Sequence, residues 1–470
     1  MASNKDILNA QRFNRRRLVT AFISGTPGGR ELESKSFVPP LIGGIVISLL
    51  MLGIAFAMGK FSPTLPDNWQ NNTLIIVKGT GARYYSVQGV LHPIYNVTSA
   101  RMRTPAGSLQ TVSVGEKVIA GIPRGDAIGE PEAPDNVPAP ADLKATEWNA
   151  CVMENAATHT WVSIRPDGLE PVTTTLVKQG DTLYAIAENV RHRIEPEHLE
   201  VLKNTLNIND SPVFDVPADW LNLFNNGTPF TPISLDNSGT PVSGMPSSVH
   251  DAVVGTIINV KFPEGDHHYL VIGDGQLVQL SDVSYAMYQA SSTGNPYTID
   301  PPTVSVGEIA NIHVVTEGGP VPADWPDTLG TITNEQARPC AHLDVSDIEK
   351  GSVLSAIPAD SPDLASAQSG MGTSASPAAS NSPHPPAVGS TSVLGGSGVL
   401  ARSTSGGSLG AVMLISDTGL SHGLGLNYSE AMQRLGYDEN SITPIPGPWI
   451  ALIPEGIDLK PIDPATGSAS

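Results

Sequence analysis

The sequence predicts an α+β protein: a single transmembrane helix, then an extracytoplasmic domain in which four hairpin-helix repeats surround a central, mainly β core. Three observations predict this fold class: a charge-free apolar run near the N-terminus, a hairpin pattern that recurs four times, and one cysteine in each half of the region that follows. The length of 470 residues exceeds one ordinary domain. The 46 glycines and 41 prolines favour turns and extended segments over helical bundles.

The first element is an uncharged run of nineteen residues, Leu41–Gly59 (LIGGIVISLLMLGIAFAMG). As a helix it would span about 28 Å, close to the hydrocarbon thickness of a bilayer. Three arginines lie on its N-terminal side, so the positive-inside rule places residues 1–40 in the cytoplasm and residues 60–470 outside. A cleaved signal peptide is the alternative, because Ala55-Phe56-Ala57 fits a cleavage site, but the polar leader and the apolar run are both longer than usual.

The basic N-terminal segment is predicted to contain an amphipathic helix that lies on the membrane or against a partner, because an apolar stripe adjoins its arginines. Small residues four apart in the apolar run permit close packing with another membrane helix. The residues expected to face the membrane or a partner are Arg15, Arg16, Arg17, Leu18, Phe22, Gly44, Ser48, Ala55 and Gly59.

The hairpin pattern consists of two short β-prone runs joined by a two-residue turn signal. It occurs as YYSVQGVLHPI (84–94), YAIAENVRHRI (184–194), LVIGDGQLVQL (270–280) and LISDTGLSHGL (414–424), with turns at Gln88-Gly89, Glu188-Asn189, Asp274-Gly275 and Thr418-Gly419. A helix is predicted after each hairpin. Its start is marked by Asn96 or Thr98, by Pro196, by Ser281 and by a capping box of Asn427 with Glu430.

The segments after the hairpins sort the repeats into an A-B-A-B order with pseudo-two-fold symmetry. The first and third are followed by the identical hexapeptide TVSVGE, at 111–116 and 303–308, which predicts equivalent places in two halves. The second and fourth share a different tail, VPADWLNLFNNGTPFTPI (216–233) and IPGPWIALIPEGIDLKPI (445–462). The extracytoplasmic region is therefore predicted to be a duplicated pair of units.

The two cysteines of the chain, Cys151 and Cys340, each lie between an A repeat and a B repeat. Both are predicted to lie outside the cytoplasm, where disulfides form and persist. We therefore predict a Cys151–Cys340 disulfide that ties the two halves together near the pseudo-two-fold axis. Two unpaired buried thiols are the alternative.

Short apolar pieces between the repeats and near the cysteines predict a central sheet built from distant segments, whereas an Ala/Ser/Pro/Gly tract predicts a flexible loop. The expected organisation is 1–40 cytoplasmic segment, 41–59 transmembrane helix, 62–130 repeat 1, 141–180 central strands, 181–234 repeat 2, 250–322 repeat 3, 323–356 central core, 357–408 flexible loop with a short core strand near its end, and 409–463 repeat 4.

Motifs for catalysis or for cofactor binding are weak, and we assign no catalytic residue, metal ligand or cofactor. The sequence contains no G-x-x-x-x-G-K-[ST] phosphate loop. Three repeats carry a histidine at the same position (His92, His192 and His422), where the third has valine, and half-buried strand histidines are expected. Asp266-His267-His268 is expected at a solvated turn. The net charge of −20 argues against nucleic acid as a partner.

These features together resemble EccB, a membrane component of the actinobacterial type VII (ESX) secretion system. The resemblance rests on the Arg-rich start AQRFNRRRLVTAFISG, one membrane helix near residue 50, four hairpin-helix repeats beginning with YYSVQGVLHPIYNVTSARM, and one cysteine in each half. It covers almost the whole chain except the Ala/Ser/Pro/Gly tract.

The resemblance implies a structural subunit of the inner-membrane secretion complex, with EccC, EccD, EccE and the mycosin protease as partners. It also implies an elongated extracytoplasmic body, dimerisation outside the membrane and contact with peptidoglycan through a fold like that of a phage lysin. Family members are often described as ATPases, and the missing phosphate loop does not support that activity here. A peptidoglycan-binding module and a nucleotide hydrolase are the alternative functions.

Overall fold

The structure is a computed structural model that describes residues 3–25, 38–60, 64–154, 156–206, 208–263, 265–292, 294–316, 318–330, 333–371 and 389–462. Two units are distinguished by their internal contacts. The first comprises 1–66, 77–80 and 113–121, and the second comprises 67–76, 81–112 and 122–470. The first unit contains two long N-terminal helices, and the second contains most of the β-structure.

The described chain alternates short strands with short helices after its first 60 residues. The helices are α1 Asn4–Ser24, α2 Val38–Lys60, α3 Val97–Arg103, α4 Glu116–Ile119, α5 Pro196–Thr205, α6 Ala218–Leu221, α7 Asp282–Gln289, α8 Val306–Ile309, α9 Pro362–Met371, α10 Tyr428–Leu435 and α11 Gly447–Ile450. The strands are β1 Thr73–Val77, β2 Arg83–Val87, β3 Val90–Pro93, β4 Gln110–Val114, β5 Glu147–Val152, β6 Thr158–Val162, β7 Glu170–Pro171, β8 Thr174–Gln179, β9 Thr182–Ala187, β10 Val190–Ile194, β11 Val213–Asp215, β12 Asn225–Asn226, β13 Ile257–Phe262, β14 Gly265–Gly273, β15 Gln276–Leu280, β16 Thr303–Ser305, β17 His313–Val314, β18 Ala337–Asp344, β19 Val353–Pro358, β20 Gly389–Val393, β21 Val399–Ser405, β22 Ser408–Ile415, β23 Ser421–Gly423 and β24 Thr443–Pro446.

These strands form five sheets. Four of the sheets share the order of four strands, and two of these four have an additional edge strand, β12 or β17. The sheet orders are β3-β2-β1-β4, β12-β10-β9-β8-β11, β17-β15-β14-β13-β16 and β23-β22-β21-β24. We name these sheets, with the helices that follow their strands, module 1 (β1–β4, α3, α4), module 2 (β8–β12, α5, α6), module 3 (β13–β17, α7, α8) and module 4 (β21–β24, α10, α11). The central sheet has the order β20-β6-β5-β18-β19-β7. The chain is therefore an α+β protein with several sheets.

Three of the four predicted turns are two-residue hairpin connections. The backbone has positive φ at Gln88, Glu188 and Asn189, and at the glycines of the first and third turns, as such tight turns require. The fourth prediction is wrong in length: Gly419 has the expected positive φ, but β22 and β23 are joined by the five residues 416–420. Its Ser416 and Thr418 hydroxyls are 2.6 Å apart, and the Ser416 N–H donates to the Leu420 carbonyl, so the wider loop is closed by its own hydrogen bonds.

The two TVSVGE segments do not occupy equivalent positions. Helix α4 begins at the last residue of the first segment, Glu116, whereas α8 begins at the fourth residue of the second, Val306. The buried valine before the helix is accordingly Val114 in module 1 and Val304 in module 3. Side chains alternate along a strand with a period of two, so a displacement by two residues preserves the buried face. The prediction from the hexapeptide is therefore wrong in register.

The helix starts agree with the sequence in three modules. Asn96 and Ser281 accept hydrogen bonds from the N–H groups at the third position of α3 and α7, and Pro196 opens α5. The predicted capping box of Asn427 with Glu430 is wrong, because Asn427 forms no side-chain cap bond. Glu430 instead pairs with Arg434 one turn later, at 2.5 Å.

Strand pairing also moves two expected boundaries. Strand β8 lies in 141–180, expected to belong to the central core, but pairs with β9 in module 2. The range 357–408 was expected to be a flexible loop with a short core strand near its end. Strand β20 of this range pairs with β6 in the central sheet, whereas β21 pairs with β22 in module 4. The beginning of the expected loop forms α9, and residues 372–388 lie outside the described residues.

Candidate assembly site

The two cysteines occupy facing positions on neighbouring strands of the central sheet. Cys151 of β5 is paired in antiparallel register with Cys340 of β18, both are fully buried, and a disulfide joins them. The predicted disulfide is confirmed. Their face of the sheet packs with Met153, and with Leu364 and Ala367 of α9, in one apolar cluster. A covalent bond thus joins segments that are 189 positions apart in the sequence.

Three fully buried tryptophans cluster on the opposite face of the central sheet. Side chains along a strand point to alternate faces, and Trp148 of β5 is an odd number of residues from Cys151, so the two side chains lie on opposite faces of the sheet. Trp220 of module 2 donates its indole N–H to the Ala150 carbonyl at 2.8 Å. Trp449 of module 4 donates to Ser352 Oγ at 3.0 Å and lies edge-on to Trp148, with ring centroids 6.4 Å apart. Modules 2 and 4 therefore dock on the central sheet through one indole each.

The other two modules lack this indole. In each module, a residue after the short second helix pairs in parallel with the second strand of the hairpin, and the residue compared here lies six positions before it. That residue is Val118 in module 1, Trp220 in module 2, Glu308 in module 3 and Trp449 in module 4. Val118 is 36% exposed, and the Glu308 carboxylate accepts a hydrogen bond from Ser248 Oγ at 2.8 Å. The tails 216–233 and 445–462 carry the two tryptophans at matching positions, but no feature of the sequence predicts their docking role.

Modules 1 and 4 contact each other through helices α3 and α10. Arg101 of α3 donates to the carbonyl of Leu435 at the end of α10, at 2.6 Å. Arg434 of α10 donates to the carbonyls of Met102, at the end of α3, and Ile462. Each helix therefore supplies a cation to the carbonyl end of the other, where the helix dipole favours positive charge.

Modules 2 and 3 contact each other through helices α5 and α7. Thr205 Oγ1 donates to Gln289 Oε1 at 2.8 Å, and Leu202 and Met287 are fully buried in a shared apolar cluster. Modules 2 and 4 therefore pack on the central sheet. Module 3 packs on module 2, and module 1 packs on module 4, in both cases through helices.

The histidines at the shared hairpin position have a structural role within their own modules. Their Nδ1–H groups bond to backbone carbonyls: His92 to Asp126 at 2.9 Å, His192 to Thr228 at 2.8 Å and His422 to Ile457 at 2.8 Å. Each ring packs against a glycine, at which an added Cβ would lie no more than 2.5 Å from the imidazole Cε1. Burial lowers the pKa of both His192 and His422, which favours neutral imidazoles. Each histidine therefore holds the segment that carries its glycine against the second strand of the hairpin.

Another buried imidazole lies in the central sheet beside the disulfide. His159 of β6 faces Cys151 in the strand register, its Nε2 is 2.9 Å from Ser392 Oγ of β20, and its ring centroid is 4.3 Å from that of Trp161. Burial lowers the pKa of His159 to about 4. Protonation would place a cation in an apolar setting, which opposes the folded state.

Acidification is therefore expected to destabilise the central sheet. Because the folded-state pKa of His159 lies below its unfolded value of 6.5, the unfolded chain binds more protons and the free energy of unfolding falls between pH 6.5 and about 4. The loss from this one group is about 3 kcal/mol. Denaturation midpoints at pH 7.5 and pH 4 should differ less in His159→Asn than in the wild type. The exposed-site variant His250→Gln is the control, and equal pH dependence in all three proteins would contradict the prediction.

The predicted membrane- or partner-facing residues lie on α1 and α2. The three arginines, Leu18 and Phe22 are exposed on α1, where Phe22 is 90% exposed. Ser3 and Asp6 form a capping box at the start of this helix. Gly44 and Ser48 are exposed on α2. Residues 55–60 are helical, but the exposure of these positions, which include the predicted residues Ala55 and Gly59, lies outside what the structure describes.

Within the described ranges, no helix meets the length and hydropathy required for a membrane span. The predicted span Leu41–Gly59 lies in α2, and it stays a prediction.

The Asp266-His267-His268 segment was predicted to lie at a turn, and this is wrong, because all three residues belong to β14. His268 Nδ1 lies 2.6 Å from Asn259 Oδ1, and its ring stacks on Tyr285 with centroids 3.9 Å apart. Among the residues with described positions, no group of three or more His, Cys, Asp or Glu side chains could hold a metal ion.

The structure is thus a set of β-modules that pack on a disulfide-bridged central sheet and on each other. The family described as "Type VII secretion system ESX-1, transport TM domain B" matches residues 1–468. The chain therefore belongs to the EccB family of type VII secretion.

Curated relatives match part of the chain. ESX-1 secretion system ATPase EccB1 of Mycobacterium tuberculosis (strain H37Rv) is 25% identical over 297 residues, which cover 59% of each protein. ESX-3 secretion system ATPase EccB3 of the same strain is 24% identical over 295 residues, which cover 58% of this chain and 53% of EccB3. The chain thus matches less than two thirds of the length of these relatives.

Solved structures share the fold. A chain in the periplasmic assembly from the ESX-5 inner membrane complex gives a TM-score of 0.62 at 19% identity, covering 87% of this chain and 95% of that chain. A chain of the EccB3 dimer from the ESX-3 core complex gives a TM-score of 0.62 at 19% identity, covering 85% and 100%. At this identity the likeness shows the fold alone.

Proposed function

We propose that this protein is a structural subunit of a type VII secretion inner-membrane complex, which anchors and assembles the complex and supports protein export. The observation that carries the proposal is its membership of the EccB family, together with the fold it shares with a chain of the ESX-5 periplasmic assembly. The described site supports a scaffold role, because its buried indoles hold modules 2 and 4 on the central sheet, its arginines join modules 1 and 4, and its disulfide joins two strands of the central sheet.

The proposal places residues 1–40 in the cytoplasm, a membrane anchor at residues 41–59 and residues 60–470 in the periplasm-like space. The uncharged apolar run and the basic residues before it support this topology. The disulfide supports an extracytoplasmic location for the central sheet, because disulfides persist in oxidising compartments.

We also propose that the extracytoplasmic region arose by duplication of a two-module unit, in the order A-B-A-B. The shared strand order of the four modules supports this, as do the two tryptophans of modules 2 and 4. The pairing of β8 and β21 favours starts near residues 174 and 399 for modules 2 and 4.

The proposed partners are EccC, EccD, EccE, the mycosin protease and a second copy of this chain. The solved EccB3 dimer supports the second copy. A contact with peptidoglycan follows only from the family resemblance.

Loss of the N-terminal elements is expected to abolish assembly, because they would form the anchor and the cytoplasmic contact. A tagged chain that lacks residues 1–59 should not co-purify with EccC, EccD and EccE from detergent extracts, and an Arg15→Gln, Arg16→Gln, Arg17→Gln variant should recover less of them. Lys178→Gln, which removes one exposed charge of module 2, is the control. An intact complex recovered with the truncated chain would contradict the assembly role.

Nucleotide hydrolysis is the second candidate, because the curated relatives carry the word ATPase in their names. The full chain should then hydrolyse ATP above a heat-inactivated blank. An absence of hydrolysis under conditions in which the complex assembles would remove this candidate.

A further inference from the structure

Helix α9 covers the disulfide on one face of the central sheet. Cys151 and Cys340 are each 0% exposed, and their apolar cluster includes Leu364 and Ala367 of α9. The other buried members of this cluster lie in strands of the central sheet or beside the ends of those strands, among them Trp161 of β6. The two cysteine side chains are therefore kept from solvent by the sheet and by this helix.

The attachment of α9 to the sheet is small. Within residues 362–368, the buried side chains are Leu364 and Ala367, at 5% and 6% exposure, and the others are exposed or partly exposed. The Asp167 N–H donates to Asp363 Oδ2 at 2.7 Å, and α9 also contacts β20. A helix of ten residues is not stable by itself, so these contacts hold it in place. We therefore expect α9 to open locally while the hydrogen-bonded strands stay folded.

Thiol–disulfide exchange at this bond requires access to one of its sulfur atoms. A thiolate of a dithiol attacks one Sγ, the S–S bond breaks, and the other cysteine leaves as a thiolate that takes up a proton. The second thiol of the reagent then attacks the mixed disulfide and releases the first cysteine. The two cysteines thereby gain two electrons and two protons, and the dithiol is oxidised to a disulfide. Because both cysteines are fully buried, a thiolate reaches neither sulfur until the cover moves.

We propose that α9 is a movable cover that gates thiol–disulfide exchange between the Cys151–Cys340 disulfide and a dithiol reductant. While α9 is seated, the disulfide is protected and joins β5 to β18. When α9 opens, exchange proceeds without unfolding of the sheet. Reduction then weakens the central sheet, because the bond closes a separation of 189 residues. The proposal follows from the packing of α9 and does not depend on the assembly role.

The test measures the rate at which dithiothreitol reduces the full chain in detergent without denaturant. Samples are quenched with N-ethylmaleimide, and the mass of the intact chain reports reduction directly, because the sequence has no other cysteine. Leu364→Ser removes the larger apolar side chain that holds α9 and should accelerate reduction at least about tenfold. In the wild type, urea below the unfolding transition should change the rate by less than about twofold, because the opening of one helix exposes little surface.

Two matched controls complete the test. Ala365→Ser changes an exposed residue of the same helix and should alter the rate by no more than about threefold. Leu270→Ala empties a fully buried site in module 3, in a different apolar cluster, and should leave the rate unchanged. The proposal is overturned if Leu364→Ser is reduced at the wild-type rate. It is also overturned if Leu270→Ala accelerates reduction as much as Leu364→Ser does, which would show that exchange requires global unfolding.

Discussion

Replacement of both cysteines by alanine is expected to lower the free energy of unfolding of the central sheet by about 5 kcal/mol, the value that the chain-entropy description gives for a loop of this length. The disulfide closes a separation of 189 residues between Cys151 and Cys340. Without it, the unfolded chain gains the freedom to separate β5 from β18, while the native strands keep their hydrogen bonds. Hydrogen exchange in the peptides that cover β5 and β18 should therefore accelerate by about four orders of magnitude.

The single variant Cys151→Ala is the matched control, because it removes the same covalent bond and leaves one buried thiol. It should accelerate exchange as much as the double variant does, and reduction of the wild type should have the same effect. A change of less than about 1 kcal/mol in all three proteins would show that the central sheet is held by packing and not by the disulfide.

Trp220→Ala is expected to destabilise the contact between module 2 and the central sheet by about 3–5 kcal/mol. The substitution empties a fully buried site and leaves the Ala150 carbonyl in the middle of β5 without its indole donor. Guanidinium denaturation followed by fluorescence should show an earlier transition, and limited proteolysis should cut first between the central sheet and module 2.

Trp69→Ala is the control for this prediction, because Trp69 is only partly buried and belongs to the segment that precedes β1. It should change the midpoint by less than about 1 kcal/mol. Equal destabilisation by both substitutions would mean that loss of any indole, and not loss of the docking contact, explains the result.

Local sequence patterns predicted those features that depend on neighbouring residues alone, namely hairpin turns and helix starts. The hairpin turns at Gln88-Gly89 and Glu188-Asn189 were predictable, because only a few residue types adopt the positive φ that a tight turn requires. The helix starts at Asn96 and Ser281 were predictable for the same kind of reason, since one side-chain oxygen accepts from a nearby N–H. The disulfide required only the compartment and two cysteines.

The errors arose where contacts between segments distant in the sequence determine the local structure. Glu430 pairs with Arg434 in place of capping α10, and Arg434 is held by carbonyls of Met102 and Ile462, which no local pattern contains. The docking role of the tryptophans was missed for the same reason. The sequence around Trp220 predicts only a buried core residue. Its docking role depends on the carbonyl of Ala150, which is 70 positions away.

The repeated hexapeptide shows a different kind of error. Identical letters at 111–116 and 303–308 suggested identical places, but the buried valines Val114 and Val304 show a displacement by two residues. A strand can slip by two without exchanging its faces, so sequence identity in a short edge strand does not fix its register.

Native mass measurement of the complex extracted with this chain tests the central claim, that the protein is an assembling subunit of a secretion complex. Mild detergent extraction through an affinity tag should yield a particle far heavier than the 49.2 kDa chain, containing more than one copy of it together with other membrane subunits. Recovery of the chain alone at 49.2 kDa, under conditions in which the other subunits are extracted intact, would contradict it.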